Sequence, residues 1–126
     1  MISLKVIPVL KCHDMKASLT FYTRILGFEL LDAWPSEDSA VYCALRNGEV
    51  VINLSTNSGD GVAGNVVLIV VRDVDQLFQT FIDRGLDTSK KKESPVHQGP
   101  LNQTWGMREF YVTDPSGNTL RFGEQL

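Results

Sequence analysis

An α+β domain made of two βαβββ units is what this chain of 126 residues predicts. Three observations carry that prediction. A strand followed by an Asp-capped helix that ends in Gly occurs twice, from Asp14 to Gly27 and from Asp73 to Gly85, matching in length within one residue. Three strand-like segments follow each helix. A turn containing Gly precedes the last strand of each copy, with Gly48 and Gly117 in corresponding places. An internal repeat of this kind has to be recognised before a topology is assigned. It defines modules 1–55 and 64–126 of a single domain. A helix on one face of each unit leaves a curved mixed sheet, helices outside, whose other face lines a cavity.

Leu4 to Leu10 reads as the first strand. Pro8 inside it cannot donate to a sheet ladder, so the strand belongs at an edge or at a junction between units. Asp14 is a side-chain cap for a helix over Met15 to Leu26, in which Leu19, Tyr22, Ile25 and Leu26 recur at helical spacing. Gly27 closes it. Phe28 to Trp34, Ala40 to Leu45 and Val50 to Leu54 read as strands, with Asn47-Gly48 as a two-residue hairpin signal. Ser55 to Gly64 is rich in Gly and Ser and separates the modules. The pattern then restarts: a strand over Asn65 to Val71, Asp73 as cap, and a helix over Val74 to Arg84 with Leu77, Phe78, Phe81 and Ile82 on one face. Leu86 to Glu93 suits a short strand and Ser94 to Gln103 a long loop. Met107 to Thr113 and Thr119 to Phe122 form the closing hairpin around Asp114-Pro115-Ser116-Gly117-Asn118, dense in turn-forming residues.

Composition excludes several classes of function. A net charge of -3 argues against binding a phosphate backbone, and Lys90-Lys91-Lys92 is too short and too close to Glu93 to change that. No apolar run is long enough for a transmembrane helix. The N-terminal stretch lacks the features of an export signal, so a cytoplasmic location is expected. Cys12 and Cys43 have no metal-binding spacing and read as reduced small side chains. There is no nucleophile elbow, P-loop or dinucleotide fingerprint.

Three stretches, IPVLKCHDMKASLTFYTRILGF, NVVLIVVRDVDQLFQTF and WGMREFYVTDPSGNTLRF, resemble the vicinal oxygen chelate superfamily, which holds glyoxalases, extradiol dioxygenases and bleomycin-resistance proteins. Within it the chain looks most like the bleomycin-resistance proteins, through Pro8-Val9-Leu10, Phe21-Tyr22 with Leu26-Gly27-Phe28, and Trp105-Gly106 before Arg108-Glu109-Phe110. The resemblance implies the glyoxalase/bleomycin resistance fold. Enzymes of the superfamily hold a divalent metal on four strand positions, which fall here near Ile7, Asn53, Val66 and Arg121. Ile and Val carry no donor atoms, Arg is a permanent cation and Asn is a weak ligand, so neither a metal nor another cofactor is expected. His13 and His97 lie outside that set, His97 in the long loop. Glu109 and Glu124 are an acid/base pair only in principle; Glu109 reads better as the partner of a basic neighbour.

The same resemblance implies a non-catalytic role: sequestering a bleomycin-class antibiotic and so conferring resistance. Trp105, at the end of a long loop and before a Gly, corresponds to the family Trp that stacks on the drug's flat bithiazole. Trp34 or Tyr42 supplies the second aromatic face. Asn53, Ser55 and Arg121 face the cavity, and Met107 follows Trp105-Gly106 into the same site. Glu37, Asp38 and Asp60 suit the drug's cationic tail. A homodimer with an exchanged N-terminal strand is implied, and Pro8 fits such a crossover. Two other readings stand beside this one: a binder of another planar drug, such as mitomycin, or of a metabolite, and a superfamily enzyme with a displaced metal site.

Overall fold

The computed structural model describes residues Met1 to Leu126. It divides into two units, Met1–Asn65 with Pro115–Asn118, and Val66–Asp114 with Thr119–Leu126. The first holds strand β1 (Val9–Lys11), helix α1 (Met15–Thr20) and strands β2 (Glu29–Trp34), β3 (Tyr42–Asn47) and β4 (Val50–Ser55). The second holds β5 (Val66–Val70), α2 (Val74–Asp83), α3 (Pro95–Gln98), β6 (Leu101–Asn102), β7 (Met107–Thr113) and β8 (Thr119–Gln125). Each unit has one four-stranded mixed sheet. The orders β1-β4-β3-β2 and β5-β8-β7-β6 are the same order, so the repeat seen in the sequence is a repeat of topology. In each, the first strand runs parallel to the last and the other pairs are antiparallel.

In the first unit, Asp14 accepts a hydrogen bond from the Ala17 N–H at 3.0 Å and starts α1. The helix widens into a π turn over Phe21–Ile25 before Gly27, at φ 77°, ends it. Met15 and Tyr22 turn inward onto Cys43, Leu45, Ile52 and Leu54, all buried. The Met15 Sδ lies 3.6 Å from the Cys43 Sγ. This burial pushes the Cys43 thiol up to about 11, with the nearby Cys12 as the next cause. In the second unit, Asp73 caps α2 through the Gln76 N–H at 3.0 Å. The rings of Phe78 and Phe81 meet Phe110 edge-on at 5.1 and 5.8 Å, and Phe110 stacks on Phe122 at 5.3 Å. Strand alternation then sends Glu109, Tyr111 and Arg121 to the opposite face.

Several sequence expectations change. The first strand is only Val9–Lys11, not Leu4 to Leu10. Pro8 contributes its carbonyl to the Asn53 N–H at 2.9 Å, and the residues before it find no neighbouring strand. The β3–β4 hairpin closes with Asn47 paired to Val50, so its two loop residues are Gly48 and Glu49. Gly48, at φ 59°, takes the position that requires positive φ in a II′ turn. Leu86 to Glu93 is not a strand. Asp87 accepts from the Ser89 N–H and hydroxyl at 2.9 and 2.5 Å, which turns the chain into a short 3₁₀ segment over Ser89–Lys91. The loop Ser94 to Gln103 contains α3 and the two-residue β6. No helix is long and apolar enough to cross a membrane.

The turn Pro115–Asn118 belongs to the first unit through Asn118, which is fully buried. Its Oδ1 accepts from the Gly64 and Asn65 N–H groups at 3.0 and 3.1 Å, and its Nδ2 donates to the Lys11 carbonyl at 2.8 Å. Asn118→Ala leaves three backbone groups without this partner. The expected loss is on the order of 3 kcal/mol, read as a lower urea midpoint at unchanged slope; a midpoint equal to the wild type would refute this role.

Candidate functional site

The open face of the second sheet is built around a carboxylate. Glu109 is fully buried, yet lies on the side away from α2. Gly123 pairs with it across β7 and β8 and makes room for it. A Cβ at Gly123 would come within 3.2 Å of the Glu109 Cγ and 2.8 Å of the Met107 Cε. Tyr111 pairs with Arg121 in the same ladder, which sets Arg121 diagonally from Glu109. Arg121 donates from Nε to Oε1 at 2.8 Å and from Nη2 to Oε2 at 2.9 Å. This fork matches the planar carboxylate at two points. The Trp105 Nε1–H donates to Oε2 at 2.6 Å. The Arg121 guanidinium lies 5.7 Å from the Trp105 ring centre and 5.1 Å from that of Tyr111. Trp105 remains 55% exposed, and Val66, Leu68 and Val70 of β5 are exposed as well. The result is an aromatic and aliphatic surface with one internally neutralised ion pair.

His97 adjoins this face and is not a solvated loop residue. Its Nδ1 is 2.8 Å from the Ser94 hydroxyl, its Nε2 is 3.0 Å from the Thr113 hydroxyl, and its ring meets Tyr111 edge-on at 5.9 Å. Burial, then the charge of Lys91, lowers its pKa below the ordinary histidine value.

The remaining predicted residues lie in the first unit. Trp34, 45% exposed, pairs with Tyr42 at the open end of β2 and β3, their rings tilted and 5.8 Å apart. The Asn53 Nδ2 donates to the Tyr42 hydroxyl at 3.0 Å, and the Asn53 Oδ1 is buried without a partner. Ser55 shares the open side of β4 with Asn53 by strand alternation, but its hydroxyl is taken up within the protein. It is fully buried, donates to the Asp60 carboxylate at 2.5 Å and accepts from the Asn57 N–H at 3.0 Å. Asp60 is thereby committed to folding its own loop, while Glu37 and Asp38 stay exposed. Met107 and Glu109 both pack against the space left by Gly123.

The four metal positions implied by the resemblance do not fit a divalent ion. The register places Val9 beside Asn53 and Leu68 beside Arg121, two residues on from Ile7 and Val66, and neither Val nor Leu offers a donor. Arg121 excludes a metal less by bare charge than by occupying the space with a satisfied ion pair. Asp73, Asp75 and Glu124 bring carboxylate oxygens within 4.8 Å of one another. Each is engaged: Asp73 caps α2, Asp75 pairs with Arg108 at 2.9 Å and Glu124 accepts from the Val74 N–H at 3.3 Å. A shallow hollow on α1, lined by Asp14, Lys16 and Phe21, contains none of the predicted site residues.

Sequence reasoning expected Glu109 to pair with a basic neighbour, which Arg121 is, but did not count Glu109, Tyr111 or His97 among the site residues. The first two were within reach: counting back equally from the turn pairs Tyr111 with Arg121, and alternation adds Glu109 to their face. His97 was not, because its partners depend on how α3 packs.

Among known proteins, the model described as "Glyoxalase/Bleomycin resistance protein/Dioxygenase superfamily" matches residues 8–122. Bleomycin resistance proteins of Geobacillus stearothermophilus and Staphylococcus aureus are 30% identical over 144 aligned positions, covering 98% of this chain and 98% of each relative. The crystal structure of a bleomycin resistance determinant encoded on the transposon Tn5 superposes with a TM-score of 0.76 at 19% identity, over 98% of both chains. A bleomycin-binding protein complexed with bleomycin superposes with a TM-score of 0.74 at 19% identity, over 98% of this chain and 100% of that one.

His97 supplies a pH test. Because its folded pKa is lowered, it contributes stability above the unfolded value, about 6.5, and that contribution is lost as pH falls through the folded value. His97→Gln is expected to flatten stability between pH 8 and pH 5, measured by urea unfolding. An identical pH dependence in both proteins would contradict this assignment.

Proposed function

Because the chain belongs to the glyoxalase/bleomycin resistance protein/dioxygenase superfamily, and because its metal positions lack donors while Trp105 presents a braced, half-exposed ring, we propose that it binds and sequesters a planar, cationic drug of the bleomycin class without catalysing a reaction. The braced Trp105 carries this reading. A flat bithiazole stacked on the indole gains on the order of 0.5–1.5 kcal/mol beyond the area it buries. The ion pair beneath does not repel the drug's cationic tail, because Glu109 cancels Arg121. Exposed Glu37 and Asp38 and the net charge of -3 favour the same ligand. Trp34 with Tyr42 offers a second aromatic surface, and the unpartnered Asn53 Oδ1 is an acceptor for a ligand donor. A different planar drug or metabolite would use the same features, and a ligand panel separates the two. In this reading the protein acts in the cytoplasm.

The reading includes a homodimer. Ile2, Leu4 and Val6 alternate along a segment with no strand partner in its own chain, each at least 90% exposed. That is the pattern of a strand whose apolar side is covered elsewhere, and a second copy supplies the cover by exchange.

Two measurements check these statements. Bleomycin is expected to quench tryptophan fluorescence saturably and to be withheld from cleaving DNA, with Trp105→Ala weakening binding by about tenfold or more. No quenching together with no protection of DNA would sink the drug-binding reading. Deleting residues 1–7 is expected to convert a dimer to a monomer by light scattering, and an unchanged mass would remove the exchanged strand from the account.

A further inference from the structure

We propose that Glu109 is the positioning and charge-selecting residue of this site: its carboxylate fixes the Trp105 ring and cancels Arg121, so that the aromatic surface accepts planar ligands that are neutral or cationic and rejects planar anions. This deepens the ligand-binding reading above and rests on it.

Two contacts hold the Trp105 indole, the 2.6 Å hydrogen bond to Glu109 and the Arg121 guanidinium beside its ring. Both lead to one carboxylate, because Arg121 is itself oriented by Glu109. The indole would otherwise be loosely held, for it is half exposed and precedes Gly106, at φ 80°. A hydrogen bond to an ionised acceptor is the stronger kind, and it has a direction. It sets the angle of the stacking surface before a ligand arrives, which reduces the ordering that binding must impose.

Glu109 also sets the charge of the face. An arginine flanked by two aromatic rings is a ready binder of carboxylates, sulfonates and phosphates. Here its fork is already filled from within the protein. The exposed side chains beside it on this face, Val66, Leu68, Val70, Leu101 and Gln125, carry no charge. Glu109 alone therefore decides whether the face is neutral or positive, and its burial keeps that effect from being screened by salt.

The first arm of the test needs no ligand. In proton–nitrogen NMR the protein has two indole N–H signals, from Trp34 and Trp105, assigned with Trp34→Phe. Glu109→Gln is expected to move the Trp105 signal upfield and to speed its hydrogen exchange about tenfold or more, leaving Trp34 unchanged. The second arm compares thioflavin T, a planar cation, with 8-anilinonaphthalene-1-sulfonate, an aromatic anion. The wild type is expected to favour the cation, and Glu109→Gln to shift the affinity ratio toward the anion by about tenfold or more, equivalent to about 1.4 kcal/mol. The neutral double variant Glu109→Gln/Arg121→Gln restores the ratio but not the Trp105 signal, separating charge from positioning; it also carries the indole arm if the single variant does not fold. Trp105→Phe, which keeps the ion pair, weakens both probes and leaves their ratio unchanged. An unmoved Trp105 signal, or a probe ratio indifferent to Glu109→Gln, overturns the proposal. A wild type that binds neither probe nor bleomycin, with the indole arm as expected, overturns the ligand-binding reading and charge selection while leaving the bracing of Trp105 standing.

Discussion

A carboxylate without solvent exposure persists in a β-sheet only where other groups meet its charge and lone pairs, and Glu109 imposes that condition on the second unit. The surrounding chain answers it. Gly123 gives up a side chain so that Glu109 fits. Arg121 reaches diagonally from β8 to supply the opposite charge at two points, and Trp105 adds the third hydrogen bond from the end of its loop. Tyr111 flanks the guanidinium on the next pair of the ladder. With these groups engaged, the sheet face is electrically quiet and presents an indole at a set angle. Replacing Glu109 by an apolar residue would leave Arg121 without its counter-charge and remove the hydrogen bond that holds Trp105.

The first unit reaches a related surface by different means. Its sheet has the same strand order, and it too buries one face under a capped helix. Its open face is organised by hydrogen bonds: Asn53 donates to Tyr42, and Ser55 donates to the Asp60 carboxylate and accepts from the Asn57 N–H. The strand-end pair Trp34 and Tyr42 supplies the aromatic area. The two units thus share their strand order and a buried core-facing side and differ in the side chains of the open side.

The absence of donor atoms at Val9 and Leu68, beside Asn53 and Arg121, gives the divergence a chemical meaning. A metal needs several convergent lone pairs, and here aliphatic carbon and a filled guanidinium occupy the places. What remains on the second sheet is the half-exposed Trp105 with Val66, Leu68 and Val70 exposed on the same open side, the surface on which the proposed ligand would stack.

Local chemistry made much of this legible in the sequence. Asp14 and Asp73 before apolar periodicity, Gly27 and Gly85 after it, and the turn residues from Asp114 to Asn118 each act on their own neighbours, so the two helices and the closing hairpin could be read directly. So could the β1 edge implied by Pro8. Trp105 and Arg121 stood out because their types are unusual at those places. Three things waited for the tertiary structure: that Leu86 to Glu93 turns as a 3₁₀ segment, that Ser55 is spent on Asp60, and that His97 docks between Ser94 and Thr113. Each depends on a side-chain hydrogen bond whose competition with strand or solvent is decided by packing. The sequence alone determined the two capped helices and the closing hairpin, because their signals are local; only the assembled sheet decided that Glu109, Arg121 and Trp105 satisfy one another, because the burial that makes their pairing necessary exists only once the strands lie side by side.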